Sequence, residues 1–215
     1  MRKFVWLTGM FLLVATCAMA QDTPQAEIFG GYSYVRFNPG TGFSGVNEHG
    51  GSGSVAYNVN SNFGIVGDFG FYKVGDITGT FGSGTTAFTG TVPVNGKVVS
   101  YLFGPRLSYR AYDKVTPFAQ VLFGGARRGD ITTSAVVAGF PAGSKVVGSQ
   151  NAFAVAFGGG LDAKVHPNIA IRLAQVEFLL TRFQDTTSPS SAPKNGTQKN
   201  VRISAGIVFR LGSRK

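Results

Sequence analysis

The chain offers few side chains suited to bond-breaking chemistry: two histidines, one cysteine and ten carboxylates in 215 residues. A serine nucleophile needs an imidazole base that is itself held by an acid. His49 stands beside Gly50, and His166 is followed by Pro167 with no serine two residues on, so neither begins such a set. Two distant histidines also lack the spacing of a zinc site. Gly158-Gly159-Gly160 is glycine-rich, but no helical pattern follows it to complete a phosphate loop. Within a strand pattern it marks close approach of neighbouring groups. Asn195-Gly196-Thr197 matches a glycosylation acceptor, a triplet that also arises by chance. The expectation is no catalytic residue, no metal and no cofactor.

What remains is charge. Asp68, Arg106, Arg110, Asp162, Lys164, Arg172, Glu177 and Arg202 fall on positions that alternate with bulky apolar ones. If those positions face an interior, the charges either line a narrow ion path or pair with one another. An unpaired buried charge is costly, so pairing is the expected role, with Arg172 as the partner of Glu177.

Those charges need strands to place them. No helical period persists after the first twenty residues, and apolar residues alternate instead with small or polar ones. Eight runs read as strands, at about 26–37, 50–59, 63–74, 98–110, 117–127, 151–165, 169–182 and 200–211. Each is close to or above the roughly 9–11 residues with which a tilted strand crosses a bilayer. The connections between them run long, short, long, short, long, short, long: 38–49, 60–62, 75–97, 111–116, 128–150, 166–168 and 183–199. A membrane barrel alternates in this way because its turns are tight on one side and its loops roomy on the other.

The alternation also assigns the faces. Val201, Ile203, Ala205, Ile207 and Phe209 share one parity, while Arg202, Ser204, Gly206 and Arg210 share the other. Phe153, Val155 and Phe157 likewise oppose Ala152, Ala154 and Ala156. Tyr101, Phe103 and Leu107 oppose Ser100, Gly104 and Arg106. The bulky faces are uncharged, and the small faces suit an eight-stranded barrel whose interior barely holds side chains. In the seventh strand Ile171 and Leu173 differ in parity from Val176 and Phe178, which calls for a bulge near Ala174. Tyr57, Phe63, Tyr109, Tyr112 and Phe118 gather beside the short turns, where an interfacial aromatic girdle would lie.

The N-terminus is different. Arg2 and Lys3 precede an apolar run from Phe4 to Thr16, and Ala18-Met19-Ala20 supplies a small-x-small cleavage pattern. That run is too short to span about 30 Å of hydrocarbon as a helix. Residues 1–20 therefore read as a signal peptide, 21–211 as the barrel and 212–215 as a short tail. Val14-Ala15-Thr16-Cys17 resembles a lipoprotein cleavage box, with threonine in place of the usual small residue. Cleavage after Ala20 would remove the single cysteine, leaving neither disulfide nor thiolate site. The net charge is +10, with basic residues scattered rather than clustered. Together with an export signal, that fits anionic lipid headgroups better than nucleic acid.

The segments AEIFGGYSYVRF, VTPFAQVLFGGARR, NAFAVAFGGGLDAKVHPNIAIRLAQVEFLLTRF and RISAGIVFRL resemble the outer-membrane protein A-like β-barrel family across residues 26–211. The resemblance implies an eight-stranded antiparallel up-and-down transmembrane barrel in the bacterial outer membrane. Its family's periplasmic domain has no counterpart after the last strand, and Phe209 is followed by six residues where family barrels often end on an aromatic. The implied partners are membrane lipids, lipopolysaccharide and, through the last strand, the barrel-insertion machinery; the partner of the loops is not specified. The expected function is a non-enzymatic surface protein that displays four long loops. A narrow, porin-like pore is the alternative, a lipid A-modifying enzyme lacks its His-x-Ser motif here, and a soluble ligand-binding barrel is the rival at the level of fold.

Overall fold

Alternation of side chains between two faces, repeated eight times, produces a sheet that closes on itself. The computed structural model describes residues 23–37, 46–74, 77–81, 88–92, 94–137, 140–184 and 195–214. In chain order the strands are β1 (Thr23–Phe37), β2 (Val46–Asn58), β3 (Phe63–Val74), β4 (Ile77–Phe81), β5 (Phe88–Val92) and β6 (Val94–Asn95). There follow β7 (Lys97–Ser108), β8 (Val115–Arg128), β9 (Ile131–Val137), β10 (Phe140–Val147), β11 (Gln150–His166), β12 (Ile169–Gln184) and β13 (Asn195–Arg214). Eight of them form a closed antiparallel barrel in the order β1-β13-β12-β11-β8-β7-β3-β2. The seam joins the two ends of the fold, with Thr23 opposite Arg214 and Arg36 opposite Val201.

The tight turns have local causes. Between β2 and β3 the Asn60 side chain accepts hydrogen bonds from the backbone N–H of Asn62 (2.9 Å) and Phe63 (2.7 Å), so the side chain closes the turn. Pro167 and Asn168 alone connect β11 to β12.

The long connections carry more order than the sequence suggests. Segments expected as loops contain a β4–β5 hairpin and a three-stranded sheet in the order β10-β9-β6. The runs Ile-Thr-Gly-Thr-Phe and Ile-Thr-Thr-Ser-Ala-Val-Val are rich in β-branched residues and pair once brought together. Val94 and Asn95 lie opposite Thr133 and Thr132, so two separate connections share one small sheet. β1, β8, β11, β12 and β13 outrun their expected limits, with β13 extending from Asn195 to Arg214, while β3 keeps them and β7 stops two residues early. Phe43, an apolar residue of the first long connection, lies outside the described residues.

The faces fall as the alternation requires. Ala152, Ala154 and Ala156 are buried while Phe153 and Phe157 are exposed, and Ser100, Leu102 and Arg106 are buried while Tyr101 and Phe103 are exposed. Phe103 keeps 63% of its surface and Phe153 keeps 60%. A continuous band of such side chains needs an apolar solvent around it. On β12 the register shifts between Arg172 and Gln175, which keeps Leu173 and Val176 outward while Arg172, Gln175 and Glu177 turn inward. This is the bulge the sequence called for near Ala174.

Candidate functional site

Among the described residues, polar side chains of many strands converge in the interior. Arg202 on β13 sits opposite Glu177 on β12 and donates through Nε to Glu177 Oε2 at 2.7 Å. Its Nη1 donates to Asp68 Oδ1 on β3 at 2.7 Å and to the Tyr72 hydroxyl at 3.2 Å. The other oxygen of Glu177 accepts from Gln120 Nε2 at 2.8 Å, and Gln175 Nε2 donates to Oε2 at 2.7 Å. Both Glu177 and Arg202 are wholly buried. A Cβ at Gly158, opposite Glu177, would strike the backbone of Val176 and Glu177, so the bare glycine allows the two strands to approach.

Two further groups join this centre. Arg172 holds Asp162 with both ends of its guanidinium, Nε to Oδ1 at 2.8 Å and Nη2 to Oδ2 at 3.0 Å, and donates from Nη1 to Gln175 Oε1 at 2.7 Å. A two-point fork of this kind fixes geometry as well as charge. Nearer the short turns, Glu27 on β1 gathers Arg110 at 3.1 Å, Arg106 at 3.6 Å and Arg210 at 3.7 Å. Arg106 Nε donates in turn to Gln120 Oε1 at 2.9 Å, which connects the Glu27 group to Glu177. Aromatic rings complete the packing. The Arg172 guanidinium lies 4.3 Å from the Phe29 ring centre and 4.4 Å from that of Phe118, and Arg106 lies 4.5 Å from Phe118.

Seven of the eight charges singled out from sequence therefore meet inside: Asp68, Arg106, Arg110, Asp162, Arg172, Glu177 and Arg202. Lys164 does not. It lies exposed where the β11–β12 register shifts again beside the turn, so strict parity no longer holds there. The ion-pair partner of Glu177 is Arg202 and not Arg172, because the register sets Glu177 opposite Arg202 and Arg172 opposite Asp162. Tyr57, Tyr109 and Tyr112 are exposed and Phe63 partly so, with Tyr109 and Tyr112 in edge contact at 5.7 Å. Phe118 departs from this set: it is buried and faces inward with Gln120 and Leu122, stacked on two arginines. Glu27 was missed by sequence, although it shares an inward parity with Phe29, Ser33 and Val35.

The histidines lie apart from this interior. His49 is exposed and meets the Tyr32 hydroxyl at 2.5 Å, and His166 is exposed beside its turn. Among the described residues no group of three or more His, Cys, Asp or Glu side chains is placed to hold a metal.

A closed eight-stranded barrel with an apolar exterior and a charged, packed interior is the architecture of an outer-membrane barrel. Residues 7–209 match the outer membrane protein beta-barrel domain, and the chain belongs to that family as a protein of the bacterial outer membrane. Among solved structures it is similar to Ail, the attachment invasion locus protein of Yersinia pestis, at 19% identity and a TM-score of 0.55, covering 88% of this chain and 99% of that one. Neisserial surface protein A is 12% identical with a TM-score of 0.55, covering 87% and 97%. The outer membrane protein OprG from Pseudomonas aeruginosa is 12% identical with a TM-score of 0.54, covering 89% and 98%. At these identities the likeness is one of fold. No curated protein matches the sequence.

Proposed function

We propose that the protein is a non-enzymatic surface barrel whose interior is sealed by its own charges and whose four long connections face outward from the cell. The carrying observation is the chain of contacts from Arg110 through Glu27, Arg106, Gln120, Glu177 and Arg202 to Asp68, drawn from opposite sides of the lumen. Conduction would require Arg202 to leave two carboxylates in a space with little room for water. Residues 1–20 would be removed on export, and the last strand would engage the insertion machinery. The intact mass of protein recovered from outer membranes checks the first of these, with Gln21 expected as the first residue.

Planar-bilayer recording of the refolded protein tests the seal. No stepwise conductance is expected from the wild type, and Arg202→Ala should open brief, small events by removing the cross-lumen contact. Steady wild-type channels, unaltered in Arg202→Ala, would replace this reading with that of a pore.

A further inference from the structure

Among the described residues five arginines and five carboxylates are buried, so their charges balance in number. They do not balance in place. Asp162 has Arg172 to itself, while Asp68 and Glu177 divide Arg202 between them. The other three arginines, Arg106, Arg110 and Arg210, all converge on the single carboxylate of Glu27 near the short turns. The fifth acid, Glu48, lies opposite Val35 and Val74, toward the long connections. Val35 stands eight residues along β1 from Glu27, roughly 26 Å at the rise of a strand, so Glu48 is too distant to compensate the cluster.

Glu27 alone does not satisfy three guanidinium groups. Arg110 donates to it at 3.1 Å, but Arg106 and Arg210 stand off at 3.6 and 3.7 Å. Arg110 Nε also donates to the Ser61 carbonyl at 3.0 Å, and Arg106 Nε to Gln120 at 2.9 Å. Arg210 Nη2 has a long contact of 3.4 Å to Thr116 Oγ1. Arg106 Nη2 and Arg210 Nε are buried and hydrogen-bond to no described protein atom. A guanidinium keeps its charge at any ordinary pH, so these groups cannot lower the cost of burial by losing a proton.

One end of the lumen thus holds two positive charges beyond its acid, with donors from β7 and β13 that lack an acceptor. An anion answers both deficits, as counter-charge and as acceptor. It must be small, because an eight-stranded interior barely holds its own side chains.

We infer that the Glu27 cluster is a binding site for one small inorganic anion of the halide class, bound by Arg106 and Arg210. The ion enters by the short-turn mouth, where Arg110 and Arg210 retain 8% and 7% of their surface against 2% for Arg106. It is a resident ion and not a conducted one, since the cross-lumen contacts of Arg202 lie beyond it. The site is the same whichever rim faces outward.

The test uses the full mature barrel refolded in an uncharged maltoside detergent, with sodium chloride exchanged for sodium isethionate at constant ionic strength. Isethionate is an organic anion too bulky for the lumen. The thermal unfolding midpoint, followed by gel mobility, should rise with chloride and then level off, as binding to the folded state requires. Arg210→Gln should raise the half-saturating chloride concentration roughly tenfold, by removing a donor and one excess charge. Glu27→Gln should act in the opposite sense and lower it roughly fivefold, because three arginines then have no acid to share. A cluster with a purely structural role would be weakened by both changes without any altered response to chloride. Lys73→Gln, on the outward face, should stay within about twofold of the wild type. Chloride-35 line width reads the same site without unfolding: the folded wild type should broaden the resonance, bromide should reverse the broadening, and Arg210→Gln should abolish it. A midpoint indifferent to the choice of anion, or a line width or chloride response that Arg210→Gln leaves unchanged, overturns the inference.

Discussion

Arg172 and Arg202 are both sealed inside the barrel, and each is held by a carboxylate directly opposite on the neighbouring strand. Beyond that they differ. Arg172 and Asp162 belong to one hairpin, ten residues apart, so the β11–β12 turn suffices to bring them together. Arg202 also reaches Asp68, 134 residues earlier in the chain, on a strand separated from its own by β1 and β2. The first pair lies along the wall, while the second crosses the lumen. Wall pairs follow from local register, whereas lumen-crossing pairs exist only if the sheet closes with the correct stagger.

That contrast is open to measurement through urea unfolding in detergent micelles, followed by heat-modifiable gel mobility. Arg202→Met should be the most damaging change, at about 3–5 kcal/mol, because it strands Glu177 and Asp68 together. Adding Glu177→Gln should recover part of that loss, and adding Asp68→Asn a further part, so the coupling is shared between two acids. Coupling confined to Glu177 would mean that the cross-lumen contact contributes little. Arg172→Met should cost less, about 1.5–3 kcal/mol, since only one acid loses its fork. Here Asp162→Asn alone should account for nearly all the coupling. A second acid coupled in that cycle would show that the hairpin pair is not self-contained. Phe118→Leu should have the smallest effect, about 1–2 kcal/mol, through the ring faces that Arg106 and Arg172 lose. A cost that survives in an Arg106→Met/Arg172→Met background would assign it to packing instead.

The same distinction separates what the sequence discloses from what it hides. Face assignment needs only the two-residue period of a strand, so the inward positions of Arg106, Asp162 and Arg202 were readable, as was the bulge that reverses parity between Leu173 and Val176. Partnership needs register, which the period does not contain, so the sequence points Glu177 to Arg172 on its own strand rather than to Arg202 across from it. Nearness to a turn points Phe118 to the girdle, although its parity with Gln120 and Leu122 directs it inward. Lys164 shows the converse failure, a parity continued past a register shift. The β6–β9 pairing of two long connections depends on their ends being neighbours on the rim, a property of the closed barrel and not of either segment.

The seam between β1 and β13 has a consequence for the order in which the protein can be completed. Glu27 is among the first residues of the barrel, and Arg210, which lies opposite it, is among the last. Asp68 and Glu177 likewise await the guanidinium of Arg202 on the final strand. A sheet of seven strands would thus present uncompensated carboxylates toward its own hollow side, which discourages it from sealing against lipid early. Arrival of the last strand brings Arg202 to Asp68 and Glu177 and adds Arg210 beside Glu27, so closing the seam and discharging the interior are one event. A chain interrupted before β13 should remain open, water-filled and available to proteases, while one that has closed has little reason to reopen.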